Sequence, residues 1–148
     1  MERKILDVNT AIEIAKKKHK EGNLIQANEI YKGLIDKKIY TFDLLVTYGL
    51  FNIEIKNFVL AKKLFFFSIK KYPSFKKSYI LLAEILSLEN NFHEALKVLL
   101  SAKNINNSNS DVEYNLSVLY KKNKQYAEAL NSINNALLAS PDIEIYQI

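Results

Sequence analysis

The sequence predicts an all-α fold built from four helical hairpins of equal length. Three observations predict it. Only three Gly and two Pro occur in 148 residues, too few turn formers for a β-rich chain of this size. Hydrophobic residues make up 49% and charged residues 25%, the balance of a globular chain rather than a disordered one. Four sets of residues recur at a fixed interval of 34 (61−27, 95−61 and 129−95 for the first set), and self-similarity at such a period marks a repeat architecture.

The first set is Ala27, Ala61, Ala95 and Ala129, and the second is Asn23, Asn57, Asn91 and Gln125. The third is the apolar or aromatic residue after each of these, Leu24, Phe58, Phe92 and Tyr126; the fourth is Tyr31, Phe65, Leu99 and Ile133. Each has a mechanical reason. Asn caps a helix because its side-chain oxygen accepts an orphan N–H at the helix start. Asn23 with Gln26, and Asn91 with Glu94, have the spacing of a capping box. The residue inside the cap wedges between the two helices of its hairpin. The Ala three positions later lets the helices approach closely, and the large residue four positions beyond lies on the same helical face.

Taken in order, the predicted helices span 7–21 and 24–38, 42–55 and 58–71, 75–89 and 92–105, then 110–122 and 126–139. The first helix of each hairpin carries a small residue at Ala15, Gly49, Ala83 and Ser117, again 34 apart, set to face the Ala of its partner. Large neighbours sit beside it: Leu45 and Tyr48, Tyr79 and Leu82, Leu116 and Tyr120. Pro73 and Pro141 stop the second and fourth hairpins. A ninth helix is expected from Asp142, breaking off after Ile148, so that the chain reads as the N-terminal piece of something longer.

Composition also excludes chemistry. With no Cys there is neither disulfide nor thiolate, which suits a reducing, cytoplasmic setting. The apolar run Leu64–Ile69 falls far short of the ~20 residues of a membrane span, the N-terminus lacks a signal-peptide run, and no membrane partner is expected. The net charge of +5 is carried almost wholly by Lys, Arg3 being the sole Arg, which argues against dedicated nucleic-acid recognition. The lysines of 16–18, 62–63, 70–71, 76–77 and 121–122 read as solvated helix faces. His19 and His93 lie on different hairpins without a ring of carboxylates, so no metal site is expected. No phosphate loop or nucleophile motif appears; no cofactor and no catalytic residue is expected. Phe65 fits the interior series, which turns Phe66 and Phe67 partly outward. They are either a contact surface or covered by a neighbouring repeat, and ordinary packing is the expected outcome.

A 34-residue helix–turn–helix unit with these small, Ala, aromatic and Pro positions resembles the tetratricopeptide repeat family. The resemblance places repeats at 8–41, 42–75, 76–109 and 110–143, with 144–148 starting a truncated fifth. It implies one array over 1–148, a right-handed α-solenoid. Ile39 and Asn107 depart from it where Pro closes other repeats. Lys18 and Asn52 replace aromatic residues, and Glu113 replaces a large apolar one. The opening run Ala15, His19, Gly22, Asn23, Leu24, Ala27, Glu29, Ile30, Tyr31 resembles first repeats that precede transferase domains in larger bacterial proteins.

In this family the first helices line a concave groove that binds partners. By register the groove would present Asn9, Ile12, Lys16, His19 and Lys20 from repeat one. Repeat two would supply Asp43, Val46, Leu50, Ile53 and Glu54, and repeat three Lys77, Ile80, Glu84, Ser87 and Leu88. Repeat four would add Asp111, Tyr114, Val118, Lys121 and Lys122. The resemblance thus implies an apolar centre with acidic spots between basic ends, suited to an extended peptide. The clamp by which some members grip chaperone C-termini has Ile12 and Lys16, then Lys77 and Leu81, at its places; its Asn is absent and Leu81 is apolar. The Asn ladder of sugar-transferase arrays is broken at Glu13, Thr47 and Leu81. The expected function is a protein-interaction scaffold, not an enzyme. The alternative is a substrate-recruiting module of a glycosyltransferase, sulfotransferase or methyltransferase, with nucleic-acid binding third. Self-association through an uncapped C-terminal end is a further expectation of the register.

Overall fold

The computed structural model describes residues 7–105 and 110–140. Among these residues every regular element is a helix. They run α1 (Val8–Lys20), α2 (Leu24–Asp36), α3 (Phe42–Glu54), α4 (Phe58–Lys71), α5 (Lys76–Leu88), α6 (Phe92–Lys103), α7 (Ser110–Lys122) and α8 (Tyr126–Ala139). The expected boundaries hold to within two residues. Asn107, Pro141, the helix expected from Asp142 and the start of a fifth repeat lie outside the described residues.

The two helices of each hairpin are joined by one recurring turn. Gly22, Lys56, Asn90 and Lys124, each 34 after the last, all take left-handed backbone, with φ of 77°, 59°, 61° and 60°. Each donates its N–H to the carbonyl three residues back, and the following residue donates to the carbonyl five back: Asn23 to Lys18, Asn57 to Asn52, Asn91 to Leu86, Gln125 to Tyr120. This double bond is the Schellman motif, which satisfies carbonyls left over at a helix end. The residue that closes one helix is the cap of the next. Asn23 accepts from the Gln26 N–H and Asn57 from the Leu60 N–H. Asn91 makes no side-chain cap bond, so the capping box expected with Glu94 does not form.

The closures between hairpins differ from one another. After α4 the chain turns at Pro73, whose carbonyl accepts from the Tyr79 hydroxyl at 3.0 Å. Where Ile39 stands in place of a proline, α2 ends in a second left-handed turn, with Lys38 at φ 59° and the Ile39 N–H donating to Leu34.

The chain divides into two compact units, Met1–Leu64 and Phe65–Ile148. In the first, α1 packs on α2 and α2 on α3. The repeated small positions do what their spacing implies: Ala15, Ala27 and Gly49 are buried, permitting close helix contact. Around them Tyr31, Tyr48 and Phe51 form an aromatic cluster, with Tyr31 stacked on Tyr48 at 5.2 Å between centroids and His19 edge-on to Phe51 at 4.9 Å. Burying each such ring stabilises the fold by about 1.5–3 kcal/mol. The Tyr48 hydroxyl donates to Asn28 Oδ1 at 2.8 Å.

In the second unit α5 pairs with α6 and α7 with α8, while α7 also packs on α6 and α5. Ala83, Ala95, Leu99, Val112 and Leu116 form its core. Glu113, in the place of an apolar residue, is buried and pairs with Lys103 of α6, Nζ to Oε1 2.7 Å. The last members of the Ala and large-residue series behave differently. Ala129 and Ile133 are only half-buried, whereas their counterparts Ala95 and Leu99 are covered.

Candidate functional site

The residues named from the sequence separate into those the fold buries and those it presents. Ile12 and Val46 are core side chains, 0% and 4% exposed, and cannot meet a partner. Both lie on first helices of their hairpins, but on the buried side of each. The other named residues of the first unit reach the surface at least in part: Asn9, Lys20, Asp43, Leu50 and Glu54 are exposed, and Lys16, His19 and Ile53 are intermediate.

Two of these pairs bridge α1 and α3. Lys16 Nζ lies 2.8 Å from Glu13 Oε1 and 3.6 Å from Asp43 Oδ2. The hydrogen bond to Glu13, outweighing partial burial, holds the Lys16 ammonium above its ordinary range, with Asp43 adding to it. His19 Nε2 approaches Glu54 Oε2 to 2.9 Å. The two side chains are in contact, but Nε2 makes no hydrogen bond. The basic end expected here is therefore partly neutralised by its own acids.

In the second unit the named residues converge. Ile80, Glu84 and Ser87 of α5 and Tyr114, Val118 and Lys122 of α7 line one groove of about 230 Å³, floored by Ala83, Leu99 and Leu119. Lys122 Nζ reaches Ser87 Oγ at 3.5 Å. Tyr114, Val118, Lys121 and Lys122 continue into a larger open groove of about 720 Å³ against α8, whose other wall is Tyr126, Ala129, Leu130 and Ile133. Leu88, Lys77 and Asp111 are exposed but line neither groove. The α8 wall was missed from sequence. Its signal was present: Ala129 and Ile133 are members of the interior series, and only the last repeat leaves those two positions open. Such a surface, apolar with a lysine rim, can take an apolar anchor and an acidic flank. Among the described residues no three His, Asp or Glu gather as a metal-binding group.

Helix pairs repeated at one interval and joined by one turn define a helical-repeat fold. Solved structures agree. The chain is similar to a crystal structure of MamA protein with a TM-score of 0.77 and 15% identity over 96% of this chain and 78% of that one. It is also similar to MamA AMB-1 (0.72, 17%, 94% and 76%) and to a MamA RS-1 ArsTM double mutant (0.76, 12%, 93% and 78%). At these identities the likeness is one of fold. No family model matches the sequence, and no curated protein matches it.

Proposed function

We propose that the chain is a protein-interaction module that binds an extended peptide along the grooves of α5, α7 and α8. The carrying observation is the convergence of Ile80, Glu84, Tyr114 and Val118 on one groove. It supports binding rather than catalysis: apolar and aromatic side chains dominate, and the single carboxylate there, Glu84, is exposed. In the first unit Leu50 and Ile53, with Lys16, His19 and Lys20 beside them, are the surface residues we assign to partner contact. No observation among the described residues favours a transferase-linked recruiting role over this reading.

Binding energy at such sites concentrates in a few residues near the centre. Tyr114 lines both grooves, and an aromatic ring with a polar tip suits that position. The experiment is a pull-down with the whole chain, then titration of the partner against variants. Tyr114→Ala should weaken binding by about 2 kcal/mol with helix content unchanged, and Val118→Ala should weaken it less. Lys121→Ala should act through association rate and salt dependence, as rim charges do. Unaltered affinity in both Tyr114→Ala and Val118→Ala would remove the groove from the proposal.

A further inference from the structure

We propose that the outer face of the corner between α4 and α5, centred on Phe66 and Phe67, docks on an anionic lipid surface. Phe66 is 55% exposed, Phe67 39% and Phe75 47%; the first two point partly outward, and no neighbouring repeat covers them completely. Single exposed apolar residues are commonplace, but a contiguous set marks a contact surface. Lys70 and Lys71 follow the two phenylalanines by one helical turn, on the same side. The Lys71 ammonium lies 5.7 Å from the centre of the Tyr72 ring, and Tyr72 meets Phe75 edge to face at 6.1 Å. Aromatic and cationic groups thus run without a break from α4 into the loop before α5. The opposite side of the helix is anchored: Phe65 and Ser68 are fully buried, and Ser68 Oγ is 2.7 Å from Ser78 Oγ of α5. The phenylalanines are held outward by a packed corner and need no unfolding to make contact.

Charge selects the occupant. From Ile55 to Ala83 there are seven lysines (56, 62, 63, 70, 71, 76 and 77) and no acid. The other residues share 14 of the 21 basic and all 16 acidic side chains, so the whole positive excess of the chain lies in this stretch. None of it is Arg, whose planar fork makes the bidentate pairs that recognise individual carboxylates or phosphates. Lysines respond as point charges to a diffuse field, which a layer of anionic headgroups supplies. Beneath that layer lies an apolar phase for the phenyl rings, which a soluble polyanion lacks. Lysine stems beside the rings can keep their ammonium groups among the headgroups while the rings go deeper. No helix among the described residues is long and apolar enough to cross a membrane, so the contact is peripheral. It departs from the sequence expectation of no membrane partner, and it shares no residue with the grooves of α5, α7 and α8.

The test is co-sedimentation of the whole chain with vesicles of phosphatidylcholine alone and with about one-third phosphatidylserine. Binding is expected only to the anionic vesicles, falling as salt is raised. Phe66→Ser with Phe67→Ser should lower the partition coefficient about tenfold or more. Lys70→Gln with Lys71→Gln, both at exposed positions, should lower it roughly fivefold per charge removed. Far-UV circular dichroism should match the parent in each case. Equal binding to both vesicle types, or undiminished binding by the lysine variant, would overturn the proposal. So would displacement by polyglutamate or RNA that is the same for the parent and the phenylalanine variant, which would reassign the face to a soluble polyanion.

Discussion

Tyr31 shows how a single atom can work against its surroundings. Its ring is fully buried against Tyr48 and Phe51, yet its hydroxyl has no hydrogen-bond partner. Burial, reinforced by the charges of Asp43 and Glu13, pushes the hydroxyl from 10.0 up to about 12. The folded form therefore holds its proton where the unfolded chain would release it. The stability this represents is complete below pH 10 and is lost as pH rises through 12. Tyr31→Phe removes the orphan hydroxyl and leaves the ring, so the unfolding free energy from denaturant titration at pH 7 should be unchanged or raised by up to ~1 kcal/mol. Between pH 10 and 12 the variant should lose stability less steeply than the parent; parallel curves would mean the hydroxyl is solvated. Asn52 is a related case: its Nδ2 donates to the Tyr48 carbonyl at 2.8 Å while Oδ1 is left unsatisfied. At this scale the sequence was partly legible. It marked Asn52 and Glu113 as out of place, but not that Glu113 is compensated by Lys103, a residue of the preceding helix. Nor could spacing tell that Ile12 and Val46 face inward, because a groove stripe and a core stripe on one helix differ by a single position.

Among the elements, helices were easier to read than the turns between them. Boundaries came within two residues because capping Asn and closing Pro are local signals. The left-handed residue of each intra-hairpin turn was legible only at Gly22 and Asn90, since lysine at positions 56 and 124 carries no conformational signature. Those two lysines bear the steric cost of left-handed backbone, which glycine avoids. Lys56→Gly and Lys124→Gly should each stabilise the chain by about 0.5–1 kcal/mol, read as a raised thermal midpoint. A lowered midpoint in both would mean that the lysine side chains contribute more than the backbone strain removes. Phe66 and Phe67 turn partly outward as the register expects, because Phe65 takes the interior position; what the apolar pattern does not say is whether a neighbouring repeat covers them.

For the molecule as a whole, stability resides in helix-to-helix contacts repeated along the chain, as in other repeat folds. The small residue at each contact is what permits the approach. Ala61 and Ala95 are completely buried, so Ala61→Leu and Ala95→Leu should each cost about 1–3 kcal/mol by overpacking. Ala129→Leu, at the half-buried last position, should cost less than either. Thermal melts of the three variants give the order directly, and equal losses would contradict the difference in burial. The whole-chain fold was legible because four independent series shared one period. The binding face was less so, because what the α8 wall meets depends on how the last hairpin is covered, and periodicity alone does not encode that.

The turn shared by the four hairpins also makes the chain divisible. Each left-handed residue is followed at once by the cap of the next helix, so Lys56 followed by Asn91 would reproduce the geometry of Lys56 followed by Asn57. A gene that lost the codons for 57–90 would rejoin its product at a seam already present in the parent. Lengthening by duplication would use the same seam. Change in size by whole repeats thus requires no new turn to be invented, and the exact spacing of 34 records that constraint.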